Sequence, residues 1–224
     1  MKHTVAIIVL AFATIGDAQT TKEEQSALTP EKVLADLMAG NARFVSGKPH
    51  VHDIKGSLTK SAAGQYPKAV ILSCLDSRVP VELVFDQGIG DIFVGRVAGN
   101  IADEDMIGSM EFGTKASGAR LIFVLGHTAC GAVKGACDGV ELGKLTGLLA
   151  KIKPAVDAVP GYKAEERTSK NSAFLEKATE ENVRETIAHI RAESAVLSEL
   201  ETAGTIKIVG GIYDLETGKV TLLK

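Results

Sequence analysis

The chain has no tryptophan, three tyrosines and seven phenylalanines among its 224 residues, an aromatic share of 4%. That leaves no stacking platform for single-stranded nucleic acid or for sugar rings. Basic residues are not in excess either: 25 Lys and Arg stand against 28 Asp and Glu, for a formal net charge of -3. A nucleic-acid binder relying on bulk charge is excluded. Cysteine is scarce and odd in number, three in all, so the chain carries no disulfide framework. Charged residues at 24% exclude a multi-span membrane protein, and the apolar content described next excludes a disordered chain.

What is present is apolar sequence and glycine. Hydrophobic residues at 45% support a substantial core, and 23 glycines supply tight turns and close backbone approaches. No repeat, low-complexity tract or linker divides the chain, so residues 19–224 read as a single domain.

The first residues form a separate object. Met1-Lys2-His3 is a short basic start, Thr4 to Ile15 is almost unbroken apolar sequence, and Gly16-Asp17-Ala18 puts small residues before Gln19. Residues 1–18 therefore read as a cleaved secretory signal, and the mature protein as periplasmic or secreted, with no stable membrane association after cleavage. The apolar run is too short to span a bilayer core of roughly 30 Å. Cleavage removes Lys2 and Asp17 and leaves the net charge unchanged. In an oxidising compartment, three unpaired cysteines ask for another explanation, and metal ligation is the first candidate.

Thr29-Pro30-Glu31 reads as a helix start, with Thr29 as N-cap and Pro30 at the first helical position. The spacing of Val33, Leu34, Leu37, Met38, Phe44 and Val45 predicts a helix to about Ser46. Residues 47–67 lack a period and read as a long loop. Ala69–Leu72, Ile92–Val94 and Leu121–Leu125 read as buried strands ending near Cys74, Arg96 and His127. A helix is expected from Asp103, whose neighbouring acids suit an N-terminus. Further helices are expected about Ala132–Ala136 and Leu142–Val159, the latter kinked or restarted at Pro154. One long helix runs from about Asn171 to Ala203, closed by Gly204, and Ile206–Tyr213 with Val220–Leu223 reads as a terminal hairpin. Strands alternating with helices predict an α/β fold: a central, mostly parallel sheet flanked by helices, with an N-terminal helical arm.

Functional groups in open α/β sheets gather beyond the carboxyl ends of strands. Cys74 closes the first strand, His127 closes the third, and Cys130 follows His127 by three residues. A His-x-x-Cys pair with one further soft ligand completes a Cys₂His set, the donor pattern of zinc with one position left open. Buried free cysteine and a hydrogen-bonded histidine are the ordinary alternative. Asp76 and Arg78 follow Cys74. Taken alone they are a surface ion pair; beside a metal, a carboxylate fixed by Arg78 can accept a hydrogen from metal-bound water, or act as a fourth ligand itself.

Cys74-Leu75-Asp76-Ser77-Arg78-Val79-Pro80, followed by His127-Thr128-Ala129-Cys130-Gly131, resembles the β-class carbonic anhydrases. The likeness extends through Arg96-Val97-Ala98-Gly99-Asn100 and covers roughly residues 30 to 224. It implies one Zn²⁺ per chain on Cys74, His127 and Cys130, with Asp76 and Arg78 orienting a zinc-bound hydroxide that attacks CO₂ to give bicarbonate and a proton. Two thiolates offset much of the ion's charge, so hydration should gain from alkaline pH. Gln65 falls where the family places a glutamine that reaches the substrate pocket, and Gly131 is assigned to the same pocket. The family also implies a homodimer or a dimer of dimers, with the N-terminal helix across the partner. One departure stands out: some members bind inhibitory bicarbonate with a Trp three residues before the first zinc cysteine, and here that residue is Ile71.

The competing readings are a Cys-His nucleophilic hydrolase, which leaves one cysteine unused, a non-catalytic zinc- or anion-binding protein in which Asp76 closes the site, and a CS₂ or COS hydrolase of the same family. Gly88-Ile89-Gly90 lacks the third glycine of a dinucleotide fingerprint. Cys137 reads as a small core residue, and His50, His52 and His189 as surface or loop residues without a clear partner.

Overall fold

The structure, a computed structural model, describes residues 20–224; the expected signal segment lies outside them. Five strands form one sheet in the order β2-β1-β3-β4-β5. They are β1 (Ala69–Ser73), β2 (Ile92–Arg96), β3 (Leu121–His127), β4 (Lys207–Tyr213) and β5 (Val220–Leu222). The first four run parallel and β5 returns antiparallel on β4. Among the described residues no helix is long and apolar enough to cross a membrane.

The strand residues alternate between two cores, as the two-residue repeat of a strand requires. Val70, Leu72, Ile122, Val124 and Ile208 face one side, and Ala69, Ile71, Leu121, Phe123 and Leu125 face the other. Helix α2 (Pro30–Val45), preceded by the short α1 (Lys22–Ser26), covers the second side through the fully buried Val33 and Leu37. It comes close at Gly40, where a Cβ would collide with the carbonyl of Phe85. Asn41 ties the same helix down by donating to the carbonyls of Val84 (3.1 Å) and Gly218 (2.9 Å). The apolar face of the N-terminal arm thus packs on its own domain through Val33, Leu37 and the partly buried Leu34, Met38 and Phe44, while Val45 at its end is exposed. On the first side lie α5 (Glu104–Glu111), continued by one π-helical turn to Ala116, α8 (Ser172–Glu193) and α9 (Ala195–Thr202). A third cluster joins α6 (Gly131–Cys137), α7 (Gly143–Ala158) and α8 around Cys74 and Cys130.

Several expectations change. The segment read as a loop contains α3 (Ile54–Ser61), started by the Asp53 side chain accepting from the Gly56 amide; too few apolar residues mark its buried side for a period to show. Asn171–Ala203 is two helices rather than one. Ser194 breaks it: its hydroxyl accepts from the Leu197 amide at 3.1 Å, starting α9, and donates to Glu111 Oε1. A capping hydroxyl held by a distant carboxylate is a tertiary contact without any local period. Pro154 sits inside α7, which runs on through it as one helix. The four-residue α4 (Val81–Val84) follows Pro80.

His50 and His52 are not without partners. The buried Asp86 carboxylate takes the Arg43 guanidinium, the His50 amide at 3.1 Å on each oxygen, and His52 Nε2 at 3.1 Å. Residues distant in sequence meet there because α2 and the turn before β2 share one side of the sheet. Cys137 is half-buried, at the margin of the third cluster, and burial raises its thiol to about 11. His189 is exposed.

Candidate metal centre

Strand order decides where the site lies. From β1 the chain crosses to β2 on one side and then to β3 on the other, so the connections diverge beyond the carboxyl ends of β1 and β3. Ser73 pairs with Leu125 in register. Cys74 therefore leaves β1 alongside the last residues of β3, which ends in His127, and the turn into α6 brings in Cys130. The ligand atoms of Cys74, His127 and Cys130 lie within 4.8 Å of one another, and all three residues are buried. The sulfurs are 3.9 Å apart. Ala129, inside that turn, is left-handed at φ 55°, a strained conformation for a residue with a Cβ and one found most often at functional sites.

The donor set fits a metal ion. His127 Nε2 is completely buried and has no hydrogen-bond partner, while Nδ1 faces the Thr128 carbonyl at 3.0 Å. That contact makes Nδ1 the protonated nitrogen and leaves Nε2 a bare acceptor, the arrangement of a metal-ligating imidazole. An unsatisfied buried acceptor beside two thiols is costly unless a cation meets all three. Cys74 is driven well below the ordinary thiol range by its hydrogen bond with Cys130, against desolvation and with help from the Asp76 and Gly99 amides. Cys130 is driven upward by the same sulfur contact and by burial. A divalent cation meeting both sulfurs would displace their thiol protons.

Asp76 stands at the rim. Arg78 grips it with Nε on Oδ1 at 2.9 Å, a second guanidinium nitrogen on Oδ2 at 2.7 Å and its own amide on Oδ1 at 3.0 Å. The Arg78 hydrogen bonds hold the carboxyl far below its usual range despite partial desolvation. Asp76 Oδ2 lies 3.8 Å from His127 Nε2. Two groups not singled out from sequence complete the surroundings. Arg96, at the end of β2, donates to the Cys74 carbonyl at 3.0 Å and to that of Asp76, and the Gly99 amide donates to Cys74 Sγ at 3.3 Å. Arg96 and Gly99 belong to the Arg-Val-Ala-Gly-Asn run, which was visible as a motif without an assigned role.

Gly131 is the first residue of α6 and exposed, with open space where a Cβ would be. Gln65 is exposed and lies before β1, at the opposite end of that five-residue strand from Cys74. At about 3.3 Å per residue, it is not brought to the metal ligands of its own chain.

The fold and the cluster define a class: an open, mostly parallel α/β protein with a Cys₂His donor set beside a carboxylate–guanidinium pair where its strand connections diverge. Residues 69–220 match the family model described as carbonic anhydrase. The chain is 38% identical to "Carbonic anhydrase 2" of Mycobacterium tuberculosis, over 83% of this chain and 89% of that one. A carbonic anhydrase of Mycolicibacterium smegmatis is 36% identical over the same shares. Among solved structures, one from work on two tetrameric β-carbonic anhydrases of Sordaria macrospora matches with a TM-score of 0.64 and 23% identity, covering 86% of this chain and 95% of that one. A β-carbonic anhydrase of Aspergillus fumigatus gives 0.66 and 22%, covering 87% and 90%. This chain belongs to the carbonic anhydrase family, is an enzyme of that family, and has the β-class fold.

Proposed function

We propose that the protein catalyses the reversible hydration of CO₂ to bicarbonate and a proton at a single Zn²⁺ held by Cys74, His127 and Cys130. The observation that carries this reading is the convergence of those three buried donors, one an unpartnered imidazole nitrogen, beside a carboxylate that Arg78 has already locked. Zinc bound there supplies a Lewis acid that makes water nucleophilic near neutral pH.

The chain's own residues do the rest. Asp76, held ionised by Arg78, is an acceptor whose Oδ2 faces the ligand cluster. It takes a hydrogen bond from the attacking water and so turns a lone pair toward the carbon of CO₂. The guanidinium occupies both carboxylate oxygens, which keeps Asp76 from swinging in to become a ligand. Arg96 fixes the Cys74–Asp76 backbone from β2, so ligand and acceptor keep their spacing. Gly131, with no side chain, leaves the space over the cluster to substrate. The new bond joins water oxygen to carbon, and the released proton leaves to buffer.

The proposal includes a homodimer, or a dimer of dimers, in which Gln65 of one copy serves the substrate pocket of another. Two features support it. Gln65 stands at the wrong end of β1 for its own site, and Val51, Ile54 and Leu58, in and just before α3, are 57%, 64% and 55% exposed, an apolar surface suited to a second copy. We further propose that residues 1–18 are removed on export to the periplasm or medium. Metal analysis with stopped-flow CO₂ hydration tests the activity: stoichiometric zinc with hydration is expected, and zinc-loaded protein without hydration would make it a non-catalytic zinc protein.

A further inference from the structure

Gly99 sits in the short 3₁₀ turn after β2 with φ 73°. A Cβ there would fall 2.5 Å from Ile152 Cδ1 and 3.3 Å from the Cβ of Ala132. Only glycine accepts both that backbone and that space. The geometry has one visible product: the Gly99 amide points at Cys74 Sγ, 3.3 Å away. On its other side, the Gly99 carbonyl accepts from Asn182 Nδ2 at 2.8 Å. Asn182 comes from the middle of α8, 83 residues away, and is 2% exposed. Nothing in the helix itself calls for an asparagine among Ala178, Val183 and Thr186 on its buried face, since asparagine favours caps over helix interiors.

Building on the zinc reading above, we infer that Asn182 is a positioning residue of the metal centre: by holding the Gly99 carbonyl it aims the Gly99 amide at Cys74 Sγ and so limits that sulfur's electron donation to the ion. An N–H donor draws density from a ligating sulfur, and partners one step removed from a metal set both the ligand's orientation and its donor strength. With two sulfur ligands in the set, trimming the donation of one preserves the ion's ability to polarise water. Neither Asn182 nor Gly99 touches the substrate in this account.

The test uses the Co²⁺-substituted full-length protein, whose sulfur-to-metal charge-transfer band reads thiolate donation directly. Asn182→Leu keeps the volume and removes the donor; Asn182→Asp keeps the shape and puts an acceptor against the Gly99 carbonyl. Both should move the band to lower energy, because the sulfur then donates more, and should weaken zinc binding by about 10–100-fold, measured by competition with a chromophoric chelator, because Cys74 loses the contact that fixes its orientation and that loss outweighs the gain in donor strength. Thr186→Val, on the same buried face of α8, reports simple loosening of the helix and should move neither. An unshifted band and unchanged zinc affinity in a folded Asn182 variant would overturn the inference, as would equal shifts in Thr186→Val. Should Asn182→Leu not fold, the Asn182→Asp band decides. Wild-type protein without any sulfur-to-cobalt band would instead remove the zinc reading on which the inference rests.

Discussion

Asp76 gives both of its carboxylate oxygens to Arg78, at 2.9 and 2.7 Å, while Oδ2 stays 3.8 Å from His127 Nε2. The carboxylate is thus held beside the donor cluster but is already engaged by the guanidinium.

Arg78→Ala should free Asp76 to turn toward the cluster. kcat for CO₂ hydration should fall by at least about 10–100-fold, the usual cost of losing a group that orients a metal site, with zinc still stoichiometric. Unchanged kcat would show that the pair is only a surface contact.

Cys130→Ala should lose most of the metal and nearly all activity, because two remaining donors cannot hold an open zinc site. Cys137→Ser should retain full zinc, since that thiol is outside the cluster. Metal content by mass spectrometry separates the two variants, and the reverse result would reassign the cysteines.

Gln65→Ala should lower kcat/KM without loss of zinc. Mixed in equal amount with Cys74→Ser under subunit exchange, it should regain activity toward roughly a quarter of wild type, because about half of the dimers are then mixed and one of the two sites in each has an intact cluster and an intact glutamine from the other copy. No recovery would place the glutamine's action within its own chain, or nowhere.

Asp86 links pH to stability. Burial alone would raise its pKa, but Arg43, the His50 amide and His52 outweigh it, and the carboxyl lies below its ordinary value. A carboxylate depressed by folding contributes stability above its unfolded pKa of about 3.9 and loses it as pH falls through the folded value. Asp86→Asn should therefore destabilise by about 1–3 kcal/mol at neutral pH, where it leaves the partly exposed Arg43 without its counter-charge, and the gap to wild type should narrow in acid. Urea unfolding at pH 7 and near pH 3 measures both; a gap independent of pH would remove the electrostatic account.

Local chemistry was legible from the residues in order. The β-branched runs ending at Cys74 and His127, Thr29 before Pro30, and Asp103 before Glu104 all carry their signals within a few positions, and strands and helices appear where those signals stand. The Cys74, His127 and Cys130 set was readable because strand ends in an open α/β sheet gather on one side. Contacts between distant segments carried no such signal. Ser194 divides a periodic stretch because Glu111 holds its hydroxyl, His50 and His52 meet Asp86 across α2, and Asn182 reaches Gly99 from a helix whose pattern looks merely apolar. Gln65 shows the same limit: its neighbours in sequence do not tell whether it meets the ligand cluster of its own chain. Periodicity and capping depend on neighbours a few bonds away, whereas a hydrogen bond across 83 residues exists only once packing has chosen which faces meet.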